Sequence, residues 1–514
     1  MITRLKINGF KNLVDVDIRL GAFTCIAGTN AVGKSNLFDA IRFLSDLTYK
    51  TLIDAAKSVR SEGQRNSDIR DLFHCIGNHY AERMQFEVEM IIPTTGVDDL
   101  GQSAEATITT VKYELILAYR QDDKLHTQGL LEIIKEELTP ITQREAYRNI
   151  KFYSDLNGIS SKDLQEIKRQ ENEWKKSVIQ GRRSTKIPFI STEGEEEYRK
   201  VNFHQDGGSS GRPTGRKASQ LPKTVLSTAN ALENPTALIV KNEMQSWQML
   251  QLEPSALRKS DEFHMVANAK LGADGSHLPA TLYRLKVEND KSQELPDVYQ
   301  ILANRLSELI EGVDNINIDK DDKRELLTLI LNSKDGTQFP ARALSDGTLR
   351  FLGLAVLELD SKSGGVICLE EPENGIHPEK IKAILKLLQD IATDTQRSVD
   401  KDNPLRQVIV NTHSPVVVQQ VPEESLLMAE LREDMDKEGN RFKKAVFSPL
   451  QGTWRTKINP TIKPVSLGKL LSYLNPVEFS EETYIYQENG KKKQKRVIDR
   501  KDIGSQLYLF NYEV

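Results

Sequence analysis

The sequence predicts an α/β protein with a mixed sheet, an antiparallel β lobe, a helical insertion and a small C-terminal domain. Three observations lead to this class. A continuous apolar run, Phe23-Thr24-Cys25-Ile26-Ala27, feeds directly into a glycine-bounded loop that begins at Gly28. Beyond that loop, apolar residues at 37, 40, 41 and 44 follow the spacing of one helix face. A second continuous apolar run, Gly365-Val366-Ile367-Cys368-Leu369, ends far downstream in Glu370-Glu371. Apolar runs without alternation are what strands buried on both faces look like, and such strands belong to sheets covered by helices.

Bulk properties narrow the function. A chain of 514 residues is long enough for roughly two to four structural units. With 28% charged and 6% aromatic residues, a soluble, helix-containing protein fits best. Lys and Arg number 70 against 74 Asp and Glu, a net charge of -4, so a polyanion partner would need a local basic patch. Cys25 and Cys368 lie in apolar runs and read as small core residues; with Cys75 they fit a reducing compartment and make no zinc site. No leader-like apolar stretch opens the chain, and no run of about 18 apolar residues occurs. The expectation is a cytoplasmic protein with no membrane span.

Residues 2–9 alternate and break at Gly9, as an edge strand would. The loop Gly28-Thr29-Asn30-Ala31-Val32-Gly33-Lys34-Ser35 then stands between a strand and a helix, the context in which G-x-x-x-x-G-K-S binds phosphate. Loop amides and the helix N-terminus would turn positive partial charge toward a polyphosphate. Lys34 is expected to reach the β- and γ-phosphates, and the Ser35 hydroxyl to ligate Mg²⁺. The expected nucleotide-binding set is therefore Gly28, Asn30, Gly33, Lys34, Ser35 and Asn36, with ATP and Mg²⁺ as cofactors.

Glu370 and Glu371 close a buried strand, where acidic side chains can face a metal ion and a water. Glu370 is expected in the Mg²⁺ shell with Ser35, and Glu371 is expected to orient the attacking water or take its proton. Alone, two Glu at a strand end read as a solvated terminus; the upstream loop makes them a site. Ser345-Asp346-Gly347 opens a buried helical run from Phe351 to Leu357, with caps and free amides at its start. Leu405–Asn411 is a further strand, leading to Thr412-His413-Ser414. A lone histidine there reads as structural.

The order of these four elements resembles the ABC ATPase superfamily: Walker A, signature motif, Walker B and H-loop. Within it the chain resembles the RecF/SMC-like and OLD branch, an ABC-type P-loop ATPase head, over residues 1–140 and about 236–425. Ile7-Asn8-Gly9-Phe10-Lys11-Asn12-Leu13 resembles that branch's opening strand and turn, which implies that Lys11 lies close to the nucleotide. The resemblance implies ATP-sandwich dimers of a homo-oligomer, in which Ser345, Asp346 and Gly347 meet the γ-phosphate bound on the opposite protomer. It further implies that His413 senses that phosphate in its own protomer, acting with Glu371 in catalysis, and that Asn374 lies at the dimer interface. ATP shared by two surfaces would favour the closed state. Glu370-Glu371 departs from the usual Asp-Glu, which implies slow turnover, and Asp346 stands where transporters carry Gly. Gln64 and Gln85 are both open as the Q-loop glutamine.

The expected organisation is a first head segment over 1–140, a polar insertion over 141–235, a second head segment over 236–425 and an accessory domain over 426–514. Residues 112–119 and 128–138 read as two strands of the antiparallel lobe. Ser161–Trp174 reads as a largely solvated helix, without the long heptads of a coiled-coil stalk. Asp206–Lys217 reads as a flexible surface loop, and Leu271–Leu282 as a turn entering a helix. No Toprim domain is evident: Asp434-Met435-Asp436 reads as solvated, with no apolar strand before it. Residues 484–498 read as a hairpin with an Asn-Gly turn and a basic strand, a candidate contact for DNA or RNA, or else a lysine-protected edge. In layout the chain resembles PtuA-like ATPase subunits of Septu and retron anti-phage systems, and the ATPases of PARIS systems. That implies a regulatory ATPase with a separate nuclease effector of HNH or Toprim type. A RecF-like DNA-repair ATPase and a self-contained OLD-like nuclease are the alternatives, and a transporter ATPase is more distant.

Overall fold

The computed structural model describes residues 1–59, 68–122, 126–152, 161–181, 187–206, 213–290 and 297–474. Two large sheets dominate them. The first has eight strands, all antiparallel, in the order Thr214–Lys217, Lys200–Phe203, Ile190–Glu193, His126–Pro140, Thr110–Asp122, Arg83–Ile91, Ile2–Asn8 and Val16–Arg19. The second has six, in the order Gln248–Leu250, Gly365–Glu370, Arg406–Thr412, Phe23–Ala27, Leu426–Met435 and Arg441–Pro449. Its neighbours run parallel except for the last pair, so the sheet is mixed. The fold is α/β, as the apolar runs predict.

The mixed sheet divides two cores. Ile26, Val366, Cys368 and Ile409 face one, shared with the antiparallel sheet and with Leu37, Ala40, Ile41 and Leu44 of the helix Lys34–Asp46. Their strand neighbours Cys25, Ile367, Leu369, Val408 and Val410 point the other way, toward the helices Asp346–Leu359 and Ile381–Ile391. Both faces of the sheet are thus covered. This is why Phe23–Ala27 and Arg406–Thr412 are buried at every position and carry no alternation.

Several expectations are corrected. Ile2–Asn8 is not an edge strand: it is flanked by Val16–Arg19 and Arg83–Ile91. Alternation reports which faces differ and says nothing about how many neighbours a strand has. The two lobe strands are longer than 112–119 and 128–138, running Thr110–Asp122 and His126–Pro140. The helix Ser161–Val178 is solvated on one side only, because Trp174 and Val178 are buried and Trp174 packs edge-on against Phe152 at 5.4 Å. Part of the expected loop, Thr214–Lys217, is a strand of the antiparallel sheet.

Asp434 does follow an apolar strand, since Leu426–Met435 starts on buried Leu426 and Leu427. Asp434 pairs with Lys444 at 2.6 Å, while Asp436 accepts the amides of Glu438 and Asn440 in a turn. That strand and its partner Arg441–Pro449 belong to the mixed sheet, so the division at 425/426 falls inside a sheet. A small antiparallel sheet of Val313–Asp321, Leu326–Ser333, Asp261–Glu262 and Gln338–Pro340 lies within the second head segment. Residues 271–282 do form a turn entering a helix, Leu278–Asp290. The basic hairpin at 484–498 and Gln64 lie outside the described residues. Among the described residues, no helix is long and apolar enough to cross a membrane.

Candidate nucleotide-binding site

Three parallel strands, Phe23–Ala27, Arg406–Thr412 and Gly365–Glu370, end side by side, and the site is built on their C-terminal ends. The first passes into the glycine loop. Gly28 donates its amide to the Thr412 carbonyl at 3.2 Å, and a Cβ there would stand 2.4 Å from the Ala429 carbonyl oxygen. Gly33 has φ 106°, and its Cβ would meet the Asn12 side chain at 2.7 Å and Ala445 at 2.9 Å. Gly28 is therefore dictated by a close backbone neighbour, and Gly33 by crowding side chains and its left-handed conformation.

Asn12 holds the far side of the loop, donating to the Val32 carbonyl at 3.4 Å and accepting from Asn36 at 2.8 Å. The helix Lys34–Asp46 begins with no side-chain cap and no acidic residue in its first turn. Its leading amides and positive dipole end are left to serve an anion. Thr29, Asn30 and Ala31 are exposed, whereas Lys34 is buried and donates to the carbonyls of Gly28 at 2.7 Å and Thr29 at 2.8 Å. Burial lowers the Lys34 pKa, and the opposing charges of Glu371, Glu370 and Glu373 work against that shift. Ser35 is half-buried in the first helical turn. Lys11, with φ 49°, pairs with Asp39 of the same helix at 2.8 Å.

Across the loop stand the carboxylates. Glu370 accepts from the Asn411 side chain at 3.2 Å. Glu371 follows in the left-handed region, φ 47°, with its amide bonded to the Asn411 carbonyl at 3.0 Å. Such a conformation is uncommon for a residue with a Cβ and clusters at functional positions. It turns the carboxylate between two donors: His413 Nδ1 at 2.6 Å and Asn374 Nδ2 at 2.9 Å. Partial burial opposes the charge, but Asn374, His413 and the more distant Lys34 outweigh it and hold the Glu371 pKa below its ordinary value.

Ser345 caps the helix Asp346–Leu359 by accepting the Thr348 amide at 3.2 Å. Asp346 pairs with Arg258 at 2.5 Å, and a Cβ on Gly347 would stand 2.6 Å from the Gly375 carbonyl oxygen. Arg350, one turn in, donates to the Asn374 carbonyl at 2.5 Å and the Leu252 carbonyl at 3.1 Å. The helix start thus rests on the turn that follows Glu371 within the same chain. The structure unites Gly28, Lys34, Glu371, His413 and Asn374 around one set of strand ends, and brings Ser345–Gly347 to them through Asn374 and Gly375. Gln85 lies in the antiparallel sheet, bonded to Glu114 at 3.3 Å.

Sequence reasoning assigned no role to Asn12, Arg350, Asn411, Thr412 or Glu373. Glu373 is 8% exposed, takes the Thr412 hydroxyl on one oxygen, and has its other oxygen without a partner among the described residues. Burial raises its pKa, with the Thr412 hydroxyl opposing and the charge of Glu371 adding. The signal was a glutamate following a proline in a strand-end turn, which by itself looks solvated. The donor set fits a nucleotide triphosphate: backbone cradle, buried ammonium and capless helix start for phosphates, with the Ser35 hydroxyl and Glu370 carboxylate as oxygen ligands for a hard divalent cation.

The AAA ATPase domain family model matches residues 1–418. Among solved structures, the chain is similar to an Smc head bound to the C-winged helix domain of ScpA, at 13% identity, covering 88% of this chain and 98% of that one, TM-score 0.43. It is similar to the SMC head domain from Thermotoga maritima, at 13% identity over 88% and 99% of the two chains, TM-score 0.35. A third is the Smc head with an extended coiled coil bound to the C-terminal domain of ScpA from Pyrococcus furiosus, at 13% identity over 87% and 96%, TM-score 0.38. No curated protein matches the sequence.

Proposed function

The chain belongs to the AAA ATPase domain family, and we propose that it binds and slowly hydrolyses ATP at the Gly28–Ser35 loop. The observation that carries this reading is the buried Lys34 ammonium in the loop, opposed by Glu371, a carboxylate held between His413 and Asn374. In this proposal Lys34, the loop amides of Gly28–Gly33 and the helix start at Ser35 and Asn36 hold the phosphates, with Lys11 at the margin. Bound Mg²⁺, held by Ser35 and Glu370, supplies charge neutralisation of the phosphates. Glu371 orients the attacking water and accepts its proton, and the two donors on it keep it ionised and aimed. Ser345, Asp346 and Gly347 face a second protomer's nucleotide, so a homo-oligomer of ATP-sandwich dimers completes the site. Lys34→Ala is expected to abolish nucleotide binding by equilibrium titration; unchanged affinity would remove the loop from the site.

We further infer that this ATPase regulates a separate nuclease effector in an anti-phage complex. Support comes from the layout resemblance and from Asp434 and Asp436, of which the first pairs with Lys444 and the second closes a turn. The test is co-purification with the products of neighbouring genes, with and without ATP. A stoichiometric HNH or Toprim nuclease supports the regulatory reading. DNA as the sole companion, with DNA-stimulated turnover, favours a RecF-like repair ATPase. Metal-dependent nicking by the pure chain favours an OLD-like nuclease.

A further inference from the structure

Two chain segments meet behind the carboxylate pair: residues 411–414, where one strand ends, and residues 371–376, the turn after Gly365–Glu370. They are tied at three successive positions. Asn411 takes the Glu371 amide on its carbonyl at 3.0 Å and on its side-chain oxygen at 3.2 Å. Thr412 gives its hydroxyl to Glu373. His413 Nδ1 stands 2.6 Å from the Glu371 carboxylate. The outer two ties reach Glu371 itself. The middle one reaches Glu373, to which the ATPase reading gives no role.

That middle tie is placed to govern the third. Thr412 is fully buried, and its hydroxyl also accepts the Ser414 amide at 2.9 Å. One side chain therefore pins the backbone on both sides of His413, whose own side chain is exposed. A hydroxyl turns to suit its acceptor, and Glu373 is the acceptor that fixes it in this orientation. Glu373 is held in turn, since its carbonyl accepts the Ile376 amide at 3.0 Å. Beside it the Asn374 amide bonds the Glu371 carbonyl at 3.0 Å, so anchor and base share one turn. Glu373 is also buried with its second oxygen unpartnered among the described residues. Packing alone would favour an apolar side chain in that place, because burying an unsatisfied carboxylate oxygen is costly.

We propose that Glu373 is a positioning residue of the ATPase site, acting through the Thr412 hydroxyl to hold His413 on Glu371. The inference rests on the reading of Glu371 as the group that orients and deprotonates the attacking water. A general base works only within hydrogen-bond reach and in the right direction, and a slackened His413 frees the carboxylate to turn away. The phosphate loop is joined to Thr412 through a different group, the carbonyl that takes the Gly28 amide. Loss of the hydroxyl contact therefore bears on turnover more than on nucleotide binding.

The test measures kcat and KM for ATP in the full chain and in its Glu373→Met, Thr412→Val and double variants. Affinity for a fluorescent non-hydrolysable ATP analogue is titrated alongside. Each single variant is expected to lower kcat about 10-fold and to leave analogue affinity within about twofold. Because the two residues act through one contact, the double variant should fall no further than the slower single one. Thr412→Ser keeps the hydroxyl and should stay within about twofold of wild-type kcat. Single variants at wild-type kcat, falls that multiply in the double variant, or a Thr412→Ser as slow as Thr412→Val overturn this inference alone. A wild-type chain that binds no analogue, or a Glu371→Gln variant at the wild-type rate, overturns the underlying reading and this inference with it. If Glu373→Met fails to fold, Thr412→Val against Thr412→Ser decides by the same measurements.

Discussion

Each large sheet buries a glutamate, and the two are treated differently. Glu136, in the antiparallel sheet, is fully buried and takes the amides of Val225 and Leu226 at 2.8 Å each and the Tyr113 hydroxyl at 3.2 Å. Glu373, following the end of a mixed-sheet strand, receives one hydroxyl and has its other oxygen without a partner among the described residues. The two amides that Glu136 accepts latch the segment at 225–226 onto the lobe, and the Tyr113 hydroxyl on the neighbouring strand steadies the same carboxylate. Glu373 is incompletely satisfied where Gly28, Thr412 and Glu371 converge. A buried carboxylate saturated by backbone donors serves the fold, while one left short of partners beside a loop and a charged pair is available to the chemistry.

The sharpest way to break this contrast is at the mixed sheet. Glu371→Gln is expected to lower kcat about 100-fold or more while ATP still binds, trapping a closed oligomer visible by size-exclusion chromatography with ATP. Hydrolysis at the wild-type rate would remove Glu371 from its assigned role. Next in size, Glu136→Ala should strand two buried amides, costing about 2–4 kcal/mol of local stability. Faster hydrogen exchange at Val225 and Leu226, with unchanged nucleotide affinity, would separate the two glutamates as fold and function.

Acidity provides a subtler probe. Burial raises the Glu136 pKa from 4.5 to about 7, against the opposing amides of Leu226 and Val225 and the Tyr113 hydroxyl. Because the folded state binds this proton more tightly than the unfolded chain, the contribution is fully present below about pH 4.5 and is lost as pH rises through about 7. Thermal melts between pH 5 and 8 should therefore show a component falling with pH that Glu136→Gln removes; an identical slope in the variant would contradict the latch. The smallest effect is expected from Arg350→Lys, which loses one of two carbonyl contacts and should lower kcat only about 2- to 5-fold. No change in turnover would mean that Arg350 merely packs the helix start.

The sequence by itself determined the parts of the site that are contiguous in the chain. Strand, glycine loop and helix follow one another from Phe23 to Asp46, so apolar runs and spacing suffice to read them. Ser345 as a cap and Glu370 at a strand end are local in the same way. Tertiary structure alone decided the rest, because those features depend on residues far apart in the chain. The first strand has neighbours on both sides because Val16–Arg19 and Arg83–Ile91 both pair with it, which alternation cannot express. Glu136 points inward because the register shifts between Ile133 and Lys135, and one extra residue exchanges the faces of a strand. Arg350 reaches Asn374 and Asn12 reaches Val32 only once helices and strands have packed. Periodicity encodes which face of an element is buried; the partner it is buried against is set by the packing of the whole chain.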